Sequence, residues 1–219
     1  ELEHGSILHA TPGGAMAVVS QSGGIGFSFL NRGVPAGIPV SYVISTGNEA
    51  GVDSLTLTEH LLDDEATGVV LIFLEGLKRP DKLDAVAAKA ATLGKYIIVA
   101  KMGRSSAGAA AAESHTASLA GSYRAYEAKL RRCGVLMATD QDHALALART
   151  LTYWGARRPK GKRVGILTPS GGAGIWLADI CSDYGLELPE LDAQTRADFD
   201  EVLPAYGVSR NPVDITAQF

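Results

Sequence analysis

Short apolar runs alternate with helical segments along this chain, and the alternation constrains the fold more than any other feature. Runs rich in branched apolar residues occur at 15–20, 38–45, 68–74, 96–101 and 134–138. Segments with helical periodicity lie between and after them, at 24–32, 53–63, 80–93, 122–132 and 140–153. Nearly continuous apolar strands separated by helices are typical of a parallel sheet covered on both faces. The pattern therefore predicts an α/β fold, with a doubly wound, flavodoxin-like parallel-sheet unit over residues 1–154.

The pattern restarts after a polar, basic segment. Residues 155–162, "GARRPKGK", have the composition of a linker. A strand is predicted at 163–168, followed by a glycine turn and by helices near 173–184 and 192–203. Residues 163–219 are too few for a complete domain, so we expect the start of a second, truncated flavodoxin-like α/β unit. Because the chain begins without Met, we expect it to be a piece of a longer polypeptide.

The composition argues against nucleic-acid and membrane functions. The 219 residues carry a formal net charge of −4 and no basic block, unlike a nucleic-acid-binding surface. The longest apolar run, at 68–74, is much shorter than the roughly 20 residues that a membrane-spanning helix needs. Cys133 and Cys181 match no metal-binding or redox spacing, so no metal site is predicted. Free thiols are typical of the reducing cytoplasm, which is the predicted location.

Two glycine turns with similar sequences each follow a predicted strand: "VVSQSGGIG" at 18–26 and "ILTPSGGAG" at 166–174. A helix N-terminus carries about half a positive charge, and glycine lets its backbone approach an anion closely. The predicted anion-binding residues are Ser20, Gln21, Ser22, Gly23 and Gly24 in the first turn and Ser170, Gly171, Gly172 and Gly174 in the second. Neither turn has the spacing of a dinucleotide fingerprint or of a serine hydrolase elbow, and a P-loop is absent. The alternative is that the glycines only permit a tight strand-to-helix turn.

His115 lies in a segment of small residues that is long for a connection in an α/β unit. The segment, residues 102–121, leaves the carboxyl end of a predicted strand, where open α/β sheets bind ligands. Glu75 follows the most apolar strand at the same edge. If its carboxylate reached His115, it could accept the Nδ1 proton and leave Nε2 as a nucleophile. The alternative is that His115 is an exposed loop residue and Glu75 a surface carboxylate.

The ordered motifs of the chain resemble those of NDP-forming acyl-CoA synthetases, the ADP-forming acetyl-CoA synthetase branch of the succinyl-CoA synthetase superfamily. The motifs that carry the resemblance are "VSQSGG", "STGNEA", "DDEATGVVLIFLEG", "KMGRSSAG", "ESHT", "TPSGGAGIWLAD" and "NPVDIT". The resemblance implies a ligase core in which a phosphoryl group passes through a phosphohistidine. His115 matches that histidine and Glu75 the glutamate that orients it. The two glycine turns match the paired helix N-termini that hold the phosphate.

The resemblance also implies substrates and partners. The full enzyme would convert a carboxylic acid, CoA and ATP into acyl-CoA, ADP and phosphate. The CoA-binding domain and the ATP-grasp domain of the family, with its Mg²⁺, have no counterpart in these residues, so they are expected as further domains or subunits of a homo- or hetero-oligomer. The chain departs from the family at Ala117, where glycine is frequent, and at Asp64-Glu65, where Asp-Pro is usual.

Two other functions stay open on the residues alone. Related regions occur in protein-lysine acetyltransferase fusions as regulatory or scaffold modules, in which the histidine is often lost, so the presence of His115 and Glu75 favours the enzyme. A flavodoxin-like redox module would also fit the predicted fold, because the glycine turns match phosphate binding only in general.

Overall fold

A five-stranded parallel sheet forms the centre of the first part of the chain. The computed structural model describes residues 14–108, 110, 122–155 and 159–216. The strands are β1 Ala15–Ser20, β2 Val40–Ser45, β3 Thr67–Leu74, β4 Tyr96–Lys101 and β5 Leu136–Ala138. Their order in the sheet is β2-β1-β3-β4-β5, and every neighbouring pair is parallel. This is the flavodoxin-like strand order, which confirms the predicted fold class.

Helices cover both faces of this sheet. They are α1 Gly23–Gly33, α2 Ser54–Leu61, α3 Leu83–Thr92, α4 Tyr123–Arg132 and α5 Gln141–Trp154, with a 3₁₀ turn at Pro80–Lys82 before α3. The predicted helix at 80–93 is therefore a 3₁₀ turn continued by an α-helix. The other predicted bounds in this part of the chain differ from the observed ones by at most two residues, which is the usual uncertainty of helix and strand ends.

The core has two layers because alternate residues of each strand face opposite sides of the sheet. All eight residues of β3 are buried. Val70, Ile72 and Leu74 pack with apolar residues of α2, α3 and α4. Val69, Leu71 and Phe73 pack with apolar residues of α1 and α5. Burial of each such side chain contributes about 1.5–3 kcal/mol, so the central strands hold the sheet edge in a defined place.

Local signals in the sequence begin and end several helices. Asp53 and Asp140 are the N-caps of α2 and α5, and their carboxylates accept hydrogen bonds from the N–H groups of Thr56 and His143. Gly94 and Gly134 follow α3 and α4 with φ of 68° and 73°, a left-handed conformation that glycine adopts without a Cβ clash. Each helix therefore ends shortly before the next strand.

The chain divides into two compact units, Glu1–Arg157 and Arg158–Phe219. The second unit contains β6 Leu167–Thr168, α6 Gly171–Asp183, α7 Ala193–Val202 and β7 Val213–Asp214, and β6 pairs with β7 in parallel. The strand predicted at 163–168 is thus much shorter than expected. Its earlier residues are bonded elsewhere, since the Asn211 side chain accepts from the Ile166 N–H at 3.0 Å and donates to the Val164 carbonyl at 2.9 Å. None of the described helices is long and apolar enough to span a lipid bilayer.

Candidate functional site

The first glycine turn and Glu75 lie next to each other at one edge of the sheet. β1 and β3 are neighbours in the sheet. The strand that follows β1 in the chain, β2, lies on one side of this pair, and the strand that follows β3, β4, lies on the other side. Ligands of open α/β sheets bind at such a switch point, outside the carboxyl ends of the strands. Ser20 ends β1 and residues 21–24 follow it, and Glu75 follows β3. The structure therefore brings these two predicted features together.

The first turn ends in a capped helix N-terminus. Ser22 is the N-cap of α1, and its Oγ accepts a hydrogen bond from the Ile25 N–H at 3.5 Å. The Ser20 hydroxyl donates to the Ser22 carbonyl at 2.6 Å and accepts from the Ser22 N–H at 3.2 Å. The first turn of α1 contains no acidic residue. Its positive end is therefore not compensated from within the helix, as an anion site requires.

The second turn repeats this hydrogen-bond pattern in the second unit. The Thr168 hydroxyl donates to the Ser170 carbonyl and accepts from the Ser170 N–H, both at 3.2 Å. Ser170 is the N-cap of α6, and its Oγ accepts from the Ala173 N–H at 3.4 Å. The repeat that is visible in the sequence is thus a repeat of the local structure.

Glycine is favoured in both turns where the helix passes its own strand. A Cβ on Gly26 would lie 3.1 Å from Ser20 Cβ, and a Cβ on Gly174 would lie 3.2 Å from Thr168 Cγ2. Contacts this short are tighter than most Cβ contacts, so a larger residue would have to displace its neighbour by a few tenths of an ångström. In the second turn, a Cβ on Gly171 would lie 2.8 Å from Asp214 Oδ2, so a carboxylate already lies at the N-terminus of α6. The first turn is therefore the less compensated of the two helix ends.

The Gln21 side chain joins the first turn to Glu75. Its Oε1 accepts from the Glu75 N–H at 2.6 Å and from the Gly76 N–H at 3.1 Å, and its Nε2 donates to the Gly76 carbonyl at 2.7 Å. The sequence predicts Gln21 as an anion-binding residue together with its neighbours. In the structure its amide bonds the backbone of the segment that carries Glu75.

Two residues that the sequence did not point to, Lys101 and Tyr126, also interact with the segment that carries Glu75. Lys101 ends β4 and is only 6% exposed. Its Nζ donates to the Met102 carbonyl at 2.6 Å and lies 5.0 Å from the centre of the Tyr126 ring. Burial lowers the pKa of the Lys101 ammonium, and the negative charge of Glu75 partly opposes this shift. The sequence signal for this lysine is its position at the end of an otherwise apolar strand, where a charged side chain is unusual.

His115 lies outside the residues that the structure describes, as do its neighbours at 111–121. The described residues on either side of this segment line a cleft of about 620 Å³ at the carboxyl ends of β4 and β5. Arg104 and Arg124 contribute to its wall, together with Ser105 and Ser122. Guanidinium groups and hydroxyls are the donors that bind phosphate oxygens well. Within the described part of the chain, no group of three or more His, Cys, Asp and Glu is placed to hold a metal ion.

Comparisons with known families match both units. The family model described as succinyl-CoA ligase like flavodoxin domain matches residues 13–151. The model described as ligase-CoA domain matches residues 164–218. The two models together cover both glycine turns, Glu75 and the segment that contains His115.

Individual relatives carry the same resemblance. The chain is 38% identical over 204 residues to the ADP-forming acetate–CoA ligase II subunit alpha of Pyrococcus furiosus, covering 93% of this chain and 44% of that protein. It is 39% identical over 202 residues to the ADP-forming acetate–CoA ligase I of Archaeoglobus fulgidus, covering 92% of this chain and 29% of that protein. This chain therefore spans less than half the length of these relatives.

A solved structure agrees with the sequence relatives. The structure is a dinucleotide forming acetyl-coenzyme A synthetase 1 of Ca. Korarchaeum cryptofilum, in complex with phosphate and ADP. It superposes with a TM-score of 0.80 and 35% identity, covering 94% of this chain and 44% of that chain.

Proposed function

This chain belongs to the family of the succinyl-CoA ligase like flavodoxin domain, and on that premise we propose that it is the ligase core of an NDP-forming acyl-CoA synthetase. The complete enzyme would convert a carboxylic acid, CoA and ATP into acyl-CoA, ADP and phosphate. The names of the relatives, ADP-forming acetate–CoA ligases, support this reaction. Because the chain spans only part of those proteins, other domains or subunits supply CoA binding and the ATP-grasp site with its Mg²⁺.

The observation that carries the proposal is the pairing of the first glycine turn with Glu75 at the switch point of the sheet. A phosphoryl group carries about −1.5 to −2 charges at neutral pH, and one helix N-terminus offers about half a positive charge. The N-terminus of α1 has no acidic residue in its first turn. The Glu75 carboxylate follows the neighbouring strand, β3. A carboxylate there can accept a hydrogen bond from an imidazole ring and so fix the orientation of the ring.

His115 is the proposed carrier of the phosphoryl group. Its Nε2 attacks the phosphorus, a P–O bond to the leaving group breaks, and an N–P bond forms. The Nδ1 proton stays on the ring and is held by the Glu75 carboxylate, which stabilises the positive charge that develops on the imidazole. In the following transfer the N–P bond breaks toward an acceptor oxygen and the ring returns to its neutral form. Positioning and charge stabilisation are what phosphoryl transfer demands of a protein.

We propose that the second unit takes part in the same phosphoryl transfer. Its turn at Ser170–Gly174 repeats the capped helix N-terminus of the first turn. We propose that residues 155–162 link the two units and that the second helix end holds the phosphohistidine in one of its positions.

The proposal is tested by labelling the complete enzyme with γ-³²P-ATP. We expect label on a histidine, stable to base and lost in acid, and we expect it to vanish in His115→Ala. His60→Ala is the matched control, because His60 lies in α2 and is exposed. Label that survives acid treatment, or that persists in His115→Ala, would contradict the relay.

A further inference from the structure

The two glycine turns differ at one position that matters for Glu75. Each has a hydroxyl residue at the strand end, an N-cap serine two residues later and the same three hydrogen bonds. Between these two residues the first turn has Gln21 and the second has Pro169. The second turn forms the same cap with a proline there. The cap therefore does not need the Gln21 side chain, and the side-chain amide of Gln21 has another role.

That task is visible in its hydrogen bonds, which cross to a segment 54 and 55 residues away in the sequence. Two backbone N–H groups, those of Glu75 and Gly76, use the acceptor capacity of Oε1. Nε2 donates to the carbonyl of the same Gly76. The Gln21 backbone is itself held in register with β3, since its N–H donates to the Phe73 carbonyl at 3.2 Å. The side chain thus extends the β1–β3 pairing beyond the end of the strands.

The segment needs such support because it contains glycine. A Cβ on Gly76 would meet no atom within 4 Å, so no neighbour packs against the Cβ side of this residue. Glycine also has the largest backbone freedom of any residue. The Tyr126 hydroxyl accepts from the Leu77 N–H, but at 3.4 Å this is a long contact. The three bonds to Gln21 are all shorter; one holds the Glu75 backbone and two hold the Gly76 backbone.

We propose that Gln21 is a positioning residue for Glu75: its amide fixes the backbone of Glu75 and Gly76, and so the direction in which the carboxylate leaves the sheet. This role rests on the proposed function, in which Glu75 orients His115. In this role Gln21 acts through Glu75 and makes no hydrogen bond to the phosphoryl group. A displacement of about 1 Å in an active site can slow a reaction 100-fold, so the three bonds bear on rate.

The test uses Gln21→Met in the complete enzyme, because methionine keeps the length of the side chain and removes its hydrogen bonds. We expect His115 phosphorylation to slow roughly 10- to 100-fold and the Glu75 and Gly76 amides to exchange hydrogen faster. The matched control is Gln141→Met. The Gln141 amide also bridges two helices, donating to Ser28 Oγ at 2.8 Å and accepting from Arg32 Nη1 at 2.9 Å. We expect wild-type phosphorylation in that control.

A double-mutant cycle with Glu75→Gln separates positioning from a general loss of structure. If Gln21 acts through Glu75, Gln21→Met should slow the Glu75→Gln enzyme little further. Independent, multiplying effects of the two substitutions would overturn the role, as would unchanged amide exchange at Glu75 and Gly76. Should Gln21→Met not fold, Gln21→Asn takes its place, because asparagine keeps a neutral amide but is one methylene shorter, which withdraws the amide from the Glu75 and Gly76 backbone. A wild-type enzyme without label on His115 would overturn the proposed function itself, whereas a labelled wild type with an equally fast Gln21→Met would overturn only this role.

Discussion

At the scale of single residues, the site depends on side chains that reach across the sheet from neighbouring strand ends. Glu75 follows β3, and three other residues meet its segment: Gln21 after β1, Lys101 at the end of β4, and Tyr126 on α4. Lys101 is buried, which lowers the pKa of its ammonium, and the negative charge of Glu75 partly opposes that shift. The Glu75 carboxylate therefore favours the ionised form of Lys101.

Glu75→Gln tests the proposed role of the carboxylate. An amide can still hold the imidazole ring, but it cannot stabilise the positive charge that develops on it. We expect phosphorylation of His115 to slow by up to roughly 10⁴-fold, the loss that follows when the carboxylate orienting a catalytic imidazole is replaced by an amide, with the melting temperature near that of the wild type. Glu59→Gln on the exposed surface of α2 makes the same chemical change and should leave the rate unchanged. An unchanged rate in Glu75→Gln would show that Glu75 is a surface residue.

At the scale of elements, capped helices set where the strand ends and turns lie. Asp53 begins α2, and its carboxylate accepts from the Thr56 N–H at 2.9 Å and from the Thr56 hydroxyl at 2.6 Å. Lys82, just before α3, lies 3.7 Å from the same carboxylate. Burial alone would raise the pKa of Asp53, but the Thr56 hydrogen bonds and Lys82 outweigh it and lower the pKa. The ionised form therefore joins the starts of α2 and α3.

We expect Asp53→Ala to cost about 1 kcal/mol of unfolding free energy at pH 7, as for other lost N-caps. Asp53→Asn should cost less, since asparagine also caps helices. The folded pKa of Asp53 is depressed, so its charge stabilises the protein above the unfolded value of about 3.9, and this contribution is lost as pH falls through the folded pKa. Urea unfolding at pH 7 and near pH 3 measures both effects. A gap between wild type and Asp53→Asn that is the same at both pH values would contradict the charge argument.

At the scale of the whole molecule, the two units differ in the size of their cores. Among the described residues, the buried apolar side chains of the second unit are Ile166, Cys181 and Val213, whereas the first unit has the two large clusters on β1, β3 and β4. Trp176 of α6 and Tyr184, the C-cap of that helix, are 74% and 79% exposed. Apolar burial is the main favourable term in folding, so the second unit lacks the core that independent stability requires.

We therefore expect residues 14–155 to fold alone and residues 158–219 not to. Circular dichroism should show a cooperative thermal transition for the first fragment and largely unfolded chain for the second at 25 °C. Domains of about 60 residues are already marginal when they have a complete core. A cooperative transition of the isolated second fragment would contradict this expectation.

Much of the fold could be predicted from the sequence because it depends on local patterns. The bounds of β1 and β4, Ala15–Ser20 and Tyr96–Lys101, agree with the predicted runs, since each is a short apolar segment with polar or glycine residues around it. The turn at Ser20–Gly24 could also be predicted, because a serine cap and glycines within a few residues of each other indicate the start of a helix. The strand predicted at 163–168 was too long, because only Leu167 and Thr168 pair with β7, while the Val164 N–H donates to the carbonyl of Glu187, 23 residues further along the chain.

The sequence by itself thus determined the elements, the doubly wound class and the candidate residues at strand ends, because hydrophobic period and capping are properties of neighbouring residues. Only the tertiary structure decided that β1 lies between β2 and β3, and hence that the Gln21 amide bonds the Glu75 segment and that Lys101 lies buried against Tyr126. Those contacts join residues 25 to 55 positions apart. Their formation depends on strand order and register, which no local pattern encodes.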